Sequence, residues 1–307
     1  MNDKKMKKKY KICSIGECMI EMSNFKENKY IQSFAGDTLN FLVYISRFKH
    51  KTSYLSAIGF DYYSNNLIKF FKKENISTKL LYKIKSSNLG LYLIKNNFLG
   101  EKEFYYWRES SPVRNFLNYI NVKDIEKKLS KEDLIYFSGI TLSLLNNNGL
   151  LNLKKIIKSL NNKNKIIVFD YNIRAKGWLN LNDARNQINK FLKYINIAFA
   201  SGEDIKLLYG NNNMKNIKNI IAQYKLKSFI YRKNFKQTYF FSKNKSINIK
   251  NQILNRIVDS SGAGDAFNAA YISHFLNGNN IIQCLKFGDK IAKKNLMNKG
   301  AIVNDRF

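Results

Sequence analysis

The sequence predicts an α/β fold, a mostly parallel sheet sandwiched between two helical layers, with a small β-sheet standing off it. Three observations carry that expectation. Strand-like and helix-like segments alternate from Tyr10 to Lys73 and again from Leu134 to Ala200, the rhythm of parallel strands joined by helical crossovers. Between those stretches the pattern changes to short β-like runs separated by turn residues, as in a local antiparallel sheet. Finally, 307 residues with 45% hydrophobic content can bury a sizeable core.

Tyr10 to Ile20 is β-like, punctuated by Gly16-Glu17. Thr38 to Phe48 has helical apolar spacing, with Gly36-Asp37 before it as turn and cap chemistry. Thr52 to Ile58 follows as a strand and Tyr62 to Lys73 as a helix. Lys79 to Ile84, Gly90 to Ile94 and Lys102 to Trp107 are the runs of the small sheet, and the only proline, Pro112, falls where it rejoins the body. The alternation then resumes: strand Leu134 to Phe137, helix Leu150 to Leu160, strand Lys165 to Asp170, helix Asp183 to Leu192, strand Asn196 to Ala200. Ser228 to Tyr231 reads as a strand, Ile247 to Val258 as β-like, and Ala266 to Leu276 as a long apolar-periodic segment. No repeat or linker divides the chain. The expected organisation is a basic tail over residues 1–9 and one domain over 10–307, its small sheet built from about 16–35 and 79–112.

A formal net charge of +31 raises the question of nucleic acid. The lysines are spread along the chain among Asn and Ile, three residue types with A/T-rich codons. No zinc-finger spacing, RNP-like aromatic string or basic heptad region accompanies them. The charge therefore implies a solvated basic surface and no specific nucleic-acid partner. No run approaches ~20 apolar residues, so no membrane span is expected. The Lys-rich start precedes an apolar stretch broken by Glu17 and Glu21, which argues against a signal peptide. Cys13, Cys18 and Cys284 lack metal or disulfide spacing and fit buried thiols in a cytoplasmic protein. His50 and His274 lie in helical segments without partner spacing, which argues against a histidine triad or zinc site.

The stretch Asp259-Ser260-Ser261-Gly262-Ala263-Gly264-Asp265-Ala266-Phe267 carries the chemistry. Glycines around an alanine at a helix start leave backbone N–H groups uncovered, and the helix dipole behind them favours an anion. Asp265 ends this electropositive turn, where it can take a proton from an attacking hydroxyl. An anion cradle beside a base is what phosphoryl transfer needs. A bare G-x-G-D is equally compatible with a small-residue helix start. Near the front, Ala35-Gly36-Asp37-Thr38-Leu39-Asn40 places Asp37 and Asn40 around a glycine, able to bond sugar hydroxyls or simply to cap a helix.

The longer strings decide between these readings. Asp259 to Phe267 resembles the C-terminal signature of the ribokinase (PfkB) family of carbohydrate kinases, and Ala35 to Asn40 its N-terminal sugar-binding signature, although Leu42 stands where the family has a small residue. The resemblance runs from about Tyr10 to about Val303 and implies a ribokinase-like α/β/α sandwich with a β lid, ATP and Mg²⁺ as cofactors, and a homo-oligomer. Ser14 to Met22, Gly36 to Asn40, Phe104 to Arg108 and Tyr136 to Ile140 look like the 2-keto-3-deoxygluconate kinase branch. A sugar acid carries a carboxylate, which a planar guanidinium can hold bidentately. The resemblance implies that Gly36, Asp37, Asn40, Tyr92, Tyr106, Arg108 and Arg174 line the substrate site. Asp265 is then the base on a terminal O6 hydroxyl, and Gly262, Ala263 and Gly264 hold the transferring phosphoryl group. Judged alone, each Arg reads as a surface residue and each Tyr as half-buried packing.

The nucleotide side departs from the family. In an Asn-x-x-Glu motif that helps organise magnesium, Ser201 replaces Asn and Asp204 replaces Glu. After the strand at Tyr231, the stretch Arg232-Lys233-Asn234-Phe235-Lys236-Gln237 lacks the glycines of the family's nucleotide loop. Ser201, Arg232 and Asn234, with Gly262 and Gly264, are the expected nucleotide contacts. The alternatives left open are a fructokinase- or ribokinase-like enzyme for a neutral sugar, and a catalytically weak relative retained as a binding protein.

Overall fold

The computed structural model describes residues 8–26, 29–96, 102–233 and 236–303. Strand β1 (Lys11–Ile15) enters the large sheet, and the chain turns at Gly16 into β2 (Met19–Lys26) and β3 (Lys29–Ala35) of a second sheet. Helix α1 (Asp37–Arg47), β4 (Lys51–Ile58), α2 (Tyr62–Lys73), β5 (Ile76–Ser77) and β6 (Leu81–Lys83) return to the large sheet. β7 (Leu91–Asn96) and β8 (Lys102–Trp107) complete the small one. The rest alternates: α3 (Val122–Leu129), β9 (Leu134–Ser138), α4 (Gly139–Leu144), α5 (Asn147–Asn162), β10 (Ile166–Asp170), α6 (Leu181–Leu192), β11 (Ile197–Ser201), α7 (Gly202–Tyr209) and α8 (Met214–Tyr224). It ends with β12 (Ser228–Lys233), β13 (Gln237–Ser242), β14 (Ser246–Lys250), α9 (Ala263–Leu276) and α10 (Ile281–Leu296).

The large sheet runs in the order β14-β13-β12-β11-β10-β9-β1-β4-β5 and is parallel from β12 to β5. Its strands are apolar on both faces. Ile12, Leu134, Tyr136 and Val168 point into one core, and Cys13, Ile135, Phe137 and Phe169 into the other. Such continuous apolar runs are what a sheet covered on both sides requires. Helix α9 is buried from Ala266 to Ser273, with no polar stripe, because it lies in the interior of one of those cores.

Several expectations need correction. Tyr10 to Ile20 is two strands in two sheets, broken at Gly16. Lys79 to Ile84 does not belong to the small sheet: Leu81–Lys83 pairs in parallel with β4 of the body. The small sheet has the order β3-β2-β7-β8 and is mixed, since β2 and β7 run parallel. Ile247 to Val258 is strand only as far as Lys250. His50 lies just beyond α1, outside any helix, with Nε2 3.2 Å from the Ser273 hydroxyl. Most of the proposed basic tail lies outside the described residues.

Candidate active site

The C-terminal ends of the central parallel strands, the start of α9 and one face of the small sheet converge on a single region. Gly262 caps α9 in a left-handed conformation (φ 72°) with no side-chain cap; Ala263 N, the first helical N–H, lies 3.5 Å from Ser260 O, and no side chain caps the turn that follows. A Cβ at Gly262 would collide with the Ala301 backbone, so both the turn and its packing require glycine. Arg232, at the end of β12, lays its guanidinium against the same helix end. A Cβ on Gly264 would stand 3.0 Å from its Nη1, and the guanidinium carbon lies 5.3 Å from the Phe267 ring centroid. Arg232 therefore adds a cation to the cradle itself.

Asp265 sits one residue inside, 7% exposed. Asn40, on the buried face of α1, donates from Nδ2 to Asp265 Oδ2 at 2.8 Å. The pairing joins the two sequence motifs across 225 residues. Burial, then the Asp37 charge, push the Asp265 carboxyl well above the usual range, while Asn40 and Arg174 pull the other way. Asp37 is half-buried and accepts from Asn172 Nδ2 at 3.2 Å. At Gly36 a Cβ would strike the Glu17 carbonyl, so the packing of this turn requires glycine.

Asp170 closes the floor. Its Oδ2 accepts from Asn268 at 2.9 Å and lies 3.4 Å from the Tyr136 hydroxyl, while its buried Oδ1 has no partner among the described residues. Burial, outweighing the Arg232 charge, pushes Asp170 up to about 7. Asp204 is committed elsewhere. Its Oδ1 accepts from Ile173 N at 2.7 Å and its Oδ2 from Ser201 N at 2.8 Å and Ser201 Oγ at 2.7 Å. Ser201 and Asp204 thus form the capping box of α7. Among the described residues, no group of three or more His, Cys, Asp or Glu side chains is arranged to hold a metal.

The two arginines differ. Arg174 is exposed beyond β10, close enough to Asp265 and Tyr106 to lower both of their proton affinities. Arg108 lies 5.6 Å from the Tyr106 ring centroid but already forms an ion pair with Glu17, which is 2% exposed. Tyr92 is likewise engaged, donating its hydroxyl to Glu21. Its ring packs with Ile94 against Ala301, which sets the small sheet beside the cradle. Lys102, on β8, reaches over to Asp259 and to Ser261 Oγ at 3.0 Å. Asp259 also accepts from Ser261 N at 2.8 Å and Gly300 N at 2.9 Å. Asn234 lies outside the described residues. Beside that loop, Lys233, Lys236, Gln237, Lys250, Asn251 and Ile253 line a cavity of about 400 Å³.

Comparison with known proteins settles the family. The pfkB family of carbohydrate kinases matches residues 9–306. The chain belongs to that family. It is 32% identical over 303 residues to the 2-dehydro-3-deoxygluconokinase of Haemophilus influenzae, which it covers to 96%, with 96% of its own length matched. The enzyme of the same name from Dickeya dadantii is 29% identical over 306 residues, with 95% of this chain and 96% of that one covered. The solved 2-dehydro-3-deoxygluconokinase of Thermotoga maritima superposes with a TM-score of 0.82 at 19% identity, covering 96% of both chains. The protein is an ATP-dependent sugar kinase with the ribokinase-like fold of such structures. In this pfkB kinase, Asn40, Asp265, Arg232 and the glycine turn lie together at the start of α9. Glu17, Asn172, Asn268 and Lys102 carried no signal of their own, and Asp170 only its place at a strand end.

Proposed function

We propose that this kinase transfers the γ-phosphoryl group of ATP to the terminal O6 hydroxyl of 2-keto-3-deoxy-D-gluconate, giving 2-keto-3-deoxy-6-phosphogluconate. The observation that carries the reading is the Asn40-held carboxylate of Asp265 at the uncapped start of α9, with Arg174 facing the same space. Asp265 takes the hydroxyl proton as the oxygen attacks phosphorus, and its high proton affinity suits that task. The Gly262–Gly264 N–H groups and Arg232 take up charge on the equatorial oxygens, and ADP leaves. Arg174 reads the substrate carboxylate, Asp37 and Asn172 its hydroxyls. Mg²⁺ carried on the nucleotide would neutralise phosphate charge, and the unpartnered Asp170 Oδ1 would be the residue to hold it, with Asp204 acting indirectly from the α7 cap. The lysine-lined cavity next to β13 suits the rest of the nucleotide.

A neutral-sugar kinase has one observation in its favour: Arg108 is already neutralised by Glu17. Turnover of 2-keto-3-deoxygluconate, fructose and ribose measured side by side decides the matter. Preference for either neutral sugar would overturn the proposal. Among the described residues no helix is long and apolar enough to cross a membrane. Three buried free thiols support a cytoplasmic setting. The exposed Tyr105 and Trp107 of the small sheet are consistent with a homo-oligomer.

A further inference from the structure

Glu17 stands behind the site with an ion pair that the proposed chemistry does not use. Its carboxylate bonds Arg108 Nη2 at the end of β8. Its Oε1 and Arg108 Nε are both buried without a partner among the described residues. Ser111 Oγ lies beside the pair but outside hydrogen-bond geometry. Gly90 seals the other side, where an added Cβ would stand 3.0 Å from Glu17 Oε1 and 3.1 Å from Arg108 Cβ. The groups facing Glu17 are Arg108 and Tyr106 from β8, Asp37 from α1, Tyr54 from β4 and the neighbouring Cys18. Arg108 is the only cation among them.

We infer that Glu17 is a specificity-determining residue that couples recognition of a sugar-acid carboxylate to uptake of one proton. The inference rests on the reading of the substrate as a sugar acid. A substrate carboxylate held by Arg174 that also reaches Arg108, which faces the same Tyr106, either displaces Glu17 from the guanidinium or shares it. Displacement leaves a buried anion with no partner, and sharing sets two like charges on one cation. Both raise the proton affinity of Glu17, which burial has already raised in the free protein. The carboxylate then takes a proton from solvent, and the site exchanges one anion for another at constant charge. A neutral sugar leaves the Glu17–Arg108 pair intact and takes up no proton there. Affinity for the acid accordingly weakens as pH rises, by up to about tenfold per pH unit between the free and bound pKa of Glu17.

The test is calorimetric titration of the full chain with 2-keto-3-deoxygluconate in buffers of differing ionisation enthalpy, across neutral pH. Asp170 and Asp265 also hold raised proton affinities, so the informative quantity is the difference between wild type and Glu17→Gln. The expected result is close to one proton fewer taken up by the variant, with a KM for the acid that varies less with pH. Equal proton uptake in the two proteins overturns the inference. If Glu17→Gln does not fold, difference infrared spectroscopy of the wild type replaces it. A protonated-carboxyl band on binding the acid, lacking with fructose, supports the inference, and no new band refutes it. A kinase that binds no sugar acid loses the proposed function as well; one that binds it without proton uptake loses only this inference.

Discussion

Arg108 and Arg174 were indistinguishable in the sequence, but the structure gives them opposite mutational signatures. Arg108→Leu strands Glu17, a carboxylate 2% exposed, without its cation. Breaking a buried pair by removing one partner costs about 3–5 kcal/mol. The Arg108 side chain is 19% exposed, which places this case near the lower end. About 3 kcal/mol in a chain of this size lowers Tm by roughly 5–8 °C. Glu17 then has a raised folded-state pKa, so its contribution is favourable at low pH and lost as pH rises through that value. The Tm deficit of Arg108→Leu should therefore shrink in acid, and Glu17→Leu added to it should recover most of the loss. Arg174 is exposed and, among the described residues, its side chain donates to its neighbour's carbonyl, Ile173 O, at 3.2 Å. Arg174→Leu should leave Tm unchanged and weaken the sugar acid by about 2 kcal/mol, roughly 30-fold in KM. A neutral hexose should change far less. Thermal unfolding at two pH values and steady-state kinetics on both substrates provide the readout. An Arg108→Leu protein of native Tm, or an Arg174→Leu protein equally impaired on acid and neutral sugar, would refute the assignment.

Asp265→Asn should preserve sugar binding by calorimetry and lower kcat by ~10²-fold or more; near-normal turnover removes the carboxylate from its role. Asp37 raises the proton affinity of Asp265, so Asp37→Asn should move the acid limb of the kcat profile to lower pH. A limb that stays in place assigns it to another group. Lys102→Met deprives Asp259 of the cation that, with the Ser261 and Gly300 N–H groups, opposes burial and holds its pKa low. It should cut kcat by about tenfold with sugar affinity little changed, and Lys102→Arg should restore most of it. A variant with wild-type kcat would show that the cradle keeps its shape without the small sheet.

What the sequence revealed depended on how local its cause was. Ile166–Asp170 is an apolar run because a strand covered on both faces has no polar alternation, so the body was legible. Sheet membership is a long-range property. Tyr10 to Ile20 is β-like throughout, and only the pairing of Lys11–Ile15 with β4 and of Met19–Lys26 with β3 reveals the break. Leu81–Lys83 is three residues long, too short for its pattern to name a partner. The same distinction governs the site. Asp265 and Gly262 belong to a local string with a local function, a helix start. The Glu17–Arg108 and Lys102–Asp259 pairs span 91 and 157 residues, and neither half shows a local reason for its charge.

The distribution of charge bears on how one site brings two anions together. ATP and a sugar acid repel one another, and a single cluster of cations between them would hold both without orienting either. Here Arg232 lies at the helix end, while Arg174 stands across the site beyond another strand. Between them sit Asp37, Asp170 and Asp265, each already accepting a hydrogen bond from an asparagine: Asn172, Asn268 and Asn40 respectively. These neutral donors fix the carboxylates without cancelling their charge, as a lysine or arginine would. Asp265 therefore keeps the raised proton affinity that burial and its neighbours' repulsion give it against the opposing pull of Arg174, and anions bound at Arg174 and the cradle raise it further. In the proposed mechanism the base is thus strongest as an acceptor where both substrates are bound, which would tie proton removal to the presence of the phosphoryl group that must follow.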